Sequence, residues 1–173
     1  ETLAQSCQTI CNHGSEIRYS HSEVGVNSRL DSIQAAILRV KLKNLKDYNQ
    51  ARRQAAARYD SLLESIPGIT VPHRNKRSSH VFHQYTIQID PSITDNKSIK
   101  EELQLADIPS AIYYPAPIHE QKAYNLLDYK EGDFPVSEKL SKTVLSLPMH
   151  TELSAEQQEH IVDRLKAAIT KWT

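Results

Sequence analysis

From Leu30 to Ile66 apolar residues recur at helical spacing: Leu30, Ile33, Ile37, Val40 and Leu45, then Tyr48, Ala55, Tyr59, Leu62 and Ile66. Pro67-Gly68 ends the run, and Asp31 with Gln34 gives capping-box spacing at its start. One unbroken helix over this stretch would be roughly 55 Å long at about 1.5 Å per residue, more than a domain of this size carries. The sequence therefore predicts a break near Asn44 to Asn49. A lead helix of that length also implies attachment to a neighbouring domain.

Upstream, Glu1 to Asn12 reads as the body of a helix ended by His13-Gly14. A domain rarely starts mid-helix, and the only methionine is Met149, so the sequence is expected to belong to a larger protein. Downstream, His73 to Ser79 is polar and basic, a loop between strands. Val81 to Ile89 is the clearest strand, with Val81, His83, Tyr85, Ile87 and Ile89 on one face. Ser98 and Glu101 cap a short helix through Ile99, Leu103 and Ala106, and Pro109 stops it before a second strand, Ala111 to Tyr114. A helix near Ser137 to Thr143 follows. Ser154 and Gln157 then cap a last helix whose apolar positions are Ile161, Leu165, Ala168, Ile169 and Trp172. The predicted class is α/β: a long N-terminal helix leading into an α+β small domain, its small, mostly antiparallel sheet covered by helices. The expected segments are 1–29, 30–66 and 67–173.

Composition narrows the function. The 173 residues are 39% hydrophobic and 24% charged, no apolar run approaches the roughly 18 residues of a membrane span, and no stretch reads as a secretory signal, so none is expected. A cytoplasmic protein that does not engage membranes is expected. Lys+Arg 21 against Asp+Glu 21 leaves no positive field, so nucleic acid is not an expected partner. The four glycines, Gly14, Gly25, Gly68 and Gly132, are isolated, which excludes a phosphate-cradling glycine loop within the chain. No serine-hydrolase elbow or HExxH helix occurs. Cys7, Cys11 and His13 have a chelating look, but helix cysteines are more often buried small hydrophobes, so reduced structural thiols and no metal are expected.

Two segments stand out. In Val24-Gly25-Val26-Asn27-Ser28-Arg29-Leu30-Asp31 a glycine-hinged turn delivers Asn27 and Arg29 just before a helix start. An amide and a rigid guanidinium fork suit phosphate or carboxylate. A purely local role is the competing reading, Asn27 on turn backbone and Arg29 on a helix carboxylate. In Tyr113-Tyr114-Pro115-Ala116-Pro117-Ile118-His119 two tyrosines end a strand and a stiffened turn sets a histidine beside them. Such a pair can stack on a planar ring while His119 hydrogen-bonds, or it can be a half-buried strand edge broken by prolines.

Together with His13-Gly14, Gln34-Ala35-Ala36-Ile37-Leu38, Arg52-Arg53 with Tyr59, and Leu145-Ser146-Leu147-Pro148-Met149-His150, these runs closely resemble the C-terminal half of the DegT/StrS-type sugar aminotransferases. The resemblance spans essentially the whole chain, in order. It implies the C-terminal domain of a fold type I pyridoxal-phosphate enzyme, which moves an amino group from glutamate to a keto carbon of a nucleotide-linked hexose. It also implies that the Schiff-base lysine, and the aspartate that pairs with the cofactor's ring nitrogen, lie upstream of Glu1. No catalytic residue is then expected in this chain, which should be inactive alone. By position Asn27 resembles the asparagine that reaches the cofactor phosphate of the other subunit. Arg29, Tyr113, Tyr114, His119 and His21 match substrate-side positions. Sites shared in this way imply a homodimer. A sugar dehydratase of the same family and a non-catalytic dimerising or regulatory module are the alternatives.

Overall fold

The computed structural model describes residues 2–17 and 19–172; Glu1 of the expected first helix lies outside them. The chain divides into two compact units, 1–45 and 46–173.

The first unit holds helix α1 (Thr2–Cys11), a two-stranded antiparallel hairpin of β1 (Ser15–Ile17) and β2 (Ser20–His21), and helix α2 (Ser32–Leu42). The stop after α1 is abrupt because His13 (φ 62°) and Gly14 (φ 71°) both take left-handed backbone. Asp31 occupies the N-cap of α2, but its side chain makes no capping bond there, so the expected box with Gln34 is not formed. The apolar stripe of α2 is present and uncovered: Leu30, Ile33, Ile37 and Val40 are all more than half exposed, and α2 buries no residue.

The second unit opens within α3 (Leu45–Leu63), whose first residue closes the first unit, and the predicted break falls at Lys43 and Asn44. Its sheet is β3 (Ile69–Thr70), β4 (Tyr85–Ile89) and β5 (Val144–Leu147), antiparallel in the order β3-β4-β5, with Tyr85 opposite Leu147 and Ile87 opposite Leu145. Helices α4 (Asn96–Leu105), α5 (Pro135–Thr143) and α6 (Ala155–Thr170) complete the unit. Alternation on β4 buries Tyr85, Ile87 and Ile89 against Tyr59 and Leu63 of α3, Ile99 and Leu103 of α4, Leu145, and Leu165 and Ile169 of α6. At about 1.5 to 3 kcal/mol per large side chain, this cluster is the main source of the unit's stability.

Four expectations are corrected. The strand foreseen from Val81 begins only at Tyr85, because Phe82 has φ 49° and donates its N–H to His80 Nδ1, a local turn that cannot extend a ladder. Ala111 to Tyr114 is not a strand: Ala111 forms a single bridge to Ser146, and Pro115 and Pro117, lacking N–H, prevent more. Helix α4 is capped by Asp95, whose carboxylate accepts from Lys97 and Ser98 N–H, and not by Ser98. Trp172 lies beyond the end of α6 and is half exposed. The foreseen Ser154–Gln157 capping box of α6 is formed with both reciprocal bonds.

Candidate functional site

A helix leaves its last carbonyls without intrahelical partners. After α1 the following backbone supplies them: Gly14 N–H donates to Thr9 O at 2.8 Å, Val26 N–H to Ile10 O at 2.8 Å and Ser28 N–H to Cys11 O at 2.9 Å. The loop 24–28 is thereby laid along the end of α1, with Asn12 and Asn27 in an antiparallel bridge. The approach is closer than a side chain permits. A Cβ on Gly25 would stand 2.0 Å from Gly14 N, and one on Gly14 would stand 1.7 Å from Glu23 O.

Asn27 and Arg29 project from this loop and are exposed. Arg29 Nε–H donates to Asn27 Oδ1 at 3.3 Å, so the amide oxygen is engaged and the two amide hydrogens form the outward donor set beside a guanidinium. Arg29 meets Asn27 and not a helix carboxylate, so the contact that the chain shows is itself local. His21 ends β2 and donates from Nδ1–H to His13 O at 2.9 Å, which leaves Nε2 as its other hydrogen-bonding edge. His13 N–H donates in turn to Val26 O at 3.0 Å, so His21 and the Asn27 loop are both tied to His13. Cys7 is exposed and Cys11 half-buried, both as free thiols, which corrects the expectation that they pack inside.

In the second unit Ala111 exchanges both backbone bonds with Ser146, at 3.0 and 2.9 Å, and this fixes where Tyr113 and Tyr114 leave the sheet edge. Both are exposed. Tyr114, Pro117 and Ile118 border a groove whose other wall is Ser137, Leu140 and Ser141 of α5. The other face of this region is held by Arg52, whose Nη1 donates to the carbonyls of Phe82, His83 and Met149 at 3.1, 3.2 and 3.3 Å. Beneath it Tyr59 donates to Pro148 O and Tyr85 to Asp60 Oδ1. Burial raises both phenols above the ordinary tyrosine value, and for Tyr85 the Asp60 carboxylate adds to this, so neither is a source of phenolate at neutral pH.

His119 is turned inward. Its side chain is 7% exposed, its Nε2–H donates to Glu138 Oε1 at 3.0 Å, and its ring centroid lies 4.8 Å from that of Phe134. The same Oε1 accepts from Gly132 N–H at 2.9 Å and Phe134 N–H at 3.2 Å. Burial alone would push the Glu138 carboxyl up; the two amides and the His119 ring outweigh it and hold the group below the usual glutamate value. Glu120 Oε1 stands 3.9 Å from His119 Nε2. These three side chains are of metal-ligand type. With three N–H groups aimed at Glu138 Oε1, however, the arrangement is a carboxylate anchor and does not present that oxygen to a cation. Glu138 and Arg52 carried no assigned role in the sequence reading: His119 lies 19 residues from Glu138, and the carbonyls that Arg52 meets lie 30 or more residues away.

The model of the DegT/DnrJ/EryC1/StrS aminotransferase family matches residues 1–166. The chain belongs to this family. It is 42% identical over 167 residues to a pleiotropic regulatory protein of Geobacillus stearothermophilus, covering 95% of this chain and 44% of that protein. It is 38% identical over 167 residues to the UDP-N-acetyl-3-dehydro-alpha-D-glucosamine 3-aminotransferase of Acidithiobacillus ferrooxidans, covering 96% and 43%. The crystal structure of DesV from S. venezuelae superposes with a TM-score of 0.87 at 33% identity, over 96% of this chain and 44% of DesV. This family member thus spans less than half the length of the relatives it matches.

Proposed function

We propose that this chain is the C-terminal portion of a pyridoxal-phosphate-dependent aminotransferase that moves an amino group from glutamate to a keto carbon of a nucleotide-linked hexose, at active sites shared between two subunits. The observation that carries the reading is family membership together with near-complete coverage of this chain by nucleotide-sugar aminotransferases. The donor set at the α1 end fits the cofactor: an outward amide NH2 beside a guanidinium, on a loop fixed by backbone packing, is chemistry for a phosphate. When bound, pyridoxal phosphate supplies the electron sink for moving the amino group.

In this reading Asn27 donates to the cofactor phosphate of the partner subunit, and Arg29 holds Asn27 in register while its remaining guanidinium N–H groups face substrate. His21 offers Nε2 from the same loop lattice. Tyr113 and Tyr114 present exposed phenols to the sugar end, where they can stack on a ring or hydrogen-bond to its hydroxyls. With Nε2 committed to Glu138, His119 serves this end by holding its framework, and only Nδ1 remains for a ligand. The expected setting is a cytoplasmic homodimer.

The test is reconstitution. The full-length protein should bind pyridoxal phosphate with a visible absorbance band, lose that band when glutamate is added, and aminate a dTDP- or UDP-linked 3- or 4-keto-hexose. A second reading, a non-catalytic regulatory module, draws on the name of the 42% identical relative. Full-length protein that develops no cofactor band would favour it and reject the aminotransferase.

A further inference from the structure

From Pro115 to Phe134 the second unit forms no strand and no α-helix, only the 3₁₀ turns Ile118–Glu120 and Lys122–Leu127, and every residue from Glu120 to Ser137 is exposed. So little burial leaves hydrophobic packing with small leverage on this segment. Its order has to come from specific bonds, and three of those that tie it to α5 converge on one atom. Glu138 Oε1, in the first turn of α5, receives His119 Nε2–H from the start of the segment and the N–H groups of Gly132 and Phe134 from its end. Phe134 is the N-cap of α5, so the carboxylate also lies near the positive end of that helix. The segment is a loop closed at both ends on a single charged acceptor. Its interior turns its side chains outward: Ile118, Tyr124, Leu127, Tyr129 and Phe134 line a depression of about 300 Å³ beside His119. Its entrance is Tyr114 and Pro117 against α5.

We infer that Glu138 is a positioning residue for the sugar end of the site: by holding His119, Gly132 and Phe134 together it fixes the 118–134 loop and, through Pro117 and α5, the aim of Tyr114. The inference rests on the assignment of Tyr113 and Tyr114 to the sugar substrate. Glu138 touches no substrate itself. It differs from an ordinary helix cap because its three donors come from residues on both ends of a 20-residue excursion, so losing it loosens the whole loop. Glu120 on the first 3₁₀ turn stands 3.9 Å from His119 Nε2, and Glu131 pairs with Lys142 of α5 at 4.0 Å and not with the anchor.

The test uses the full-length enzyme with its cofactor, comparing the parent with Glu138→Ala, Glu138→Gln and the control Glu131→Gln, which removes a charge from the same turn without touching the anchor. Hydrogen exchange reads the loop, and calorimetry with the non-reactive probes dTDP-glucose and UDP-glucose reads the site. Glu138→Ala should speed exchange of the Gly132 and Phe134 amides while β4, β5 and α6 stay protected. It should weaken binding of the preferred probe about tenfold, the scale of one charge-assisted hydrogen bond, and leave glutamate-driven loss of the cofactor band unchanged. Glu138→Gln keeps a carbonyl acceptor for the amides and should fall between, and Glu131→Gln should match the parent. Faster exchange with unchanged probe affinity would reject the positioning role and reduce Glu138 to a local cap. Unchanged exchange in Glu138→Ala would reject the anchor itself. Loss of protection throughout the second unit would also reject it, as global destabilisation, unless Glu138→Gln shows the selective loss. A parent that binds neither probe would instead sink the nucleotide-sugar reading on which the inference rests.

Discussion

At the scale of single residues, the position that decides whether Asn27 is delivered is one that never meets a ligand. Gly25 passes so close to the end of α1 that a methyl group there would overlap backbone of His13, Gly14 and Ile10, none of which can swing aside as a side chain would. Gly25→Ala should therefore cost about 2 kcal/mol or more and detach the 24–28 loop, so that cofactor retention falls although every polar group remains. Dialysis of the full-length protein, followed by the cofactor band, reads this; retention equal to the parent would show that the loop is not what places Asn27. Asn27→Ala removes the donor and leaves the loop intact. It should weaken cofactor retention by about 1.5 to 3 kcal/mol, the range for a hydrogen bond to a charged group, with little change in the preference between sugar substrates. Equal cofactor affinity would remove Asn27 from the phosphate. The Asn27 and Arg29 pair could be found in the sequence because a glycine hinge and a helix start act over a few residues. The orientation of His119 could not, since it is set by Glu138, and a carboxylate 19 residues away leaves no mark on the local pattern.

At the scale of elements, caps were partly legible for the same reason of range. Ser154 and Gln157 satisfy each other within one turn, and the sequence spacing sufficed. For α4 the Ser98–Glu101 spacing competed with Asp95, and the acceptor that reaches two N–H groups prevails. Asp95→Ala should cost about 1 kcal/mol of stability and Ser98→Ala only a few tenths, measured as urea midpoints at constant slope; the reverse order would restore Ser98 as the cap. Strand ends were less legible, because the triple carbonyl clamp of Arg52 on Phe82, His83 and Met149 is a tertiary constraint laid over a good β pattern. Helix α5 carries a pH dependence whose sign follows from Glu138. Its carboxyl lies below the ordinary value in the folded chain, so its stabilising effect is complete above the unfolded glutamate pKa of about 4.3 and is lost as pH falls through the folded value. Protection factors of the Gly132 and Phe134 amides should thus be flat from neutral pH down to about 5 and drop at lower pH before β4 opens. A drop that begins well above pH 5 would show that protonation of Glu138 is not what releases the two amides.

At the scale of the whole molecule, the unsatisfied feature is apolar. The sequence periodicity of α2 promised a buried face, and the chain leaves Leu30, Ile33, Ile37, Val40 and Leu42 exposed, a contiguous stripe that a soluble protein covers. Helical pattern was legible; what covers the stripe was not, because the matched relatives are more than twice as long as this chain. In the proposed enzyme the sites are shared, with Arg29 acting across the subunit boundary and the Schiff-base lysine acting in its own subunit. This makes a sharp prediction for two inactive variants of the full-length protein, Arg29→Ala and a lysine-null chain. In a heterodimer one site takes Arg29 from the lysine-null chain and lysine from the Arg29→Ala chain and is intact, whereas the other site carries both lesions. Subunit exchange should then restore up to about half the parent activity per heterodimer, as an isologous interface forms both sites from the same pair of surfaces. If Arg29 served its own subunit, each site of the heterodimer would lack either the arginine or the lysine and activity would stay at the level of the separate variants. Native mass spectrometry has to show the mixed dimer, and circular dichroism that both variants are folded. With those two conditions met, absence of recovery would overturn the cross-subunit assignment, because an Arg29 that acts in trans always leaves one site of the mixed dimer intact.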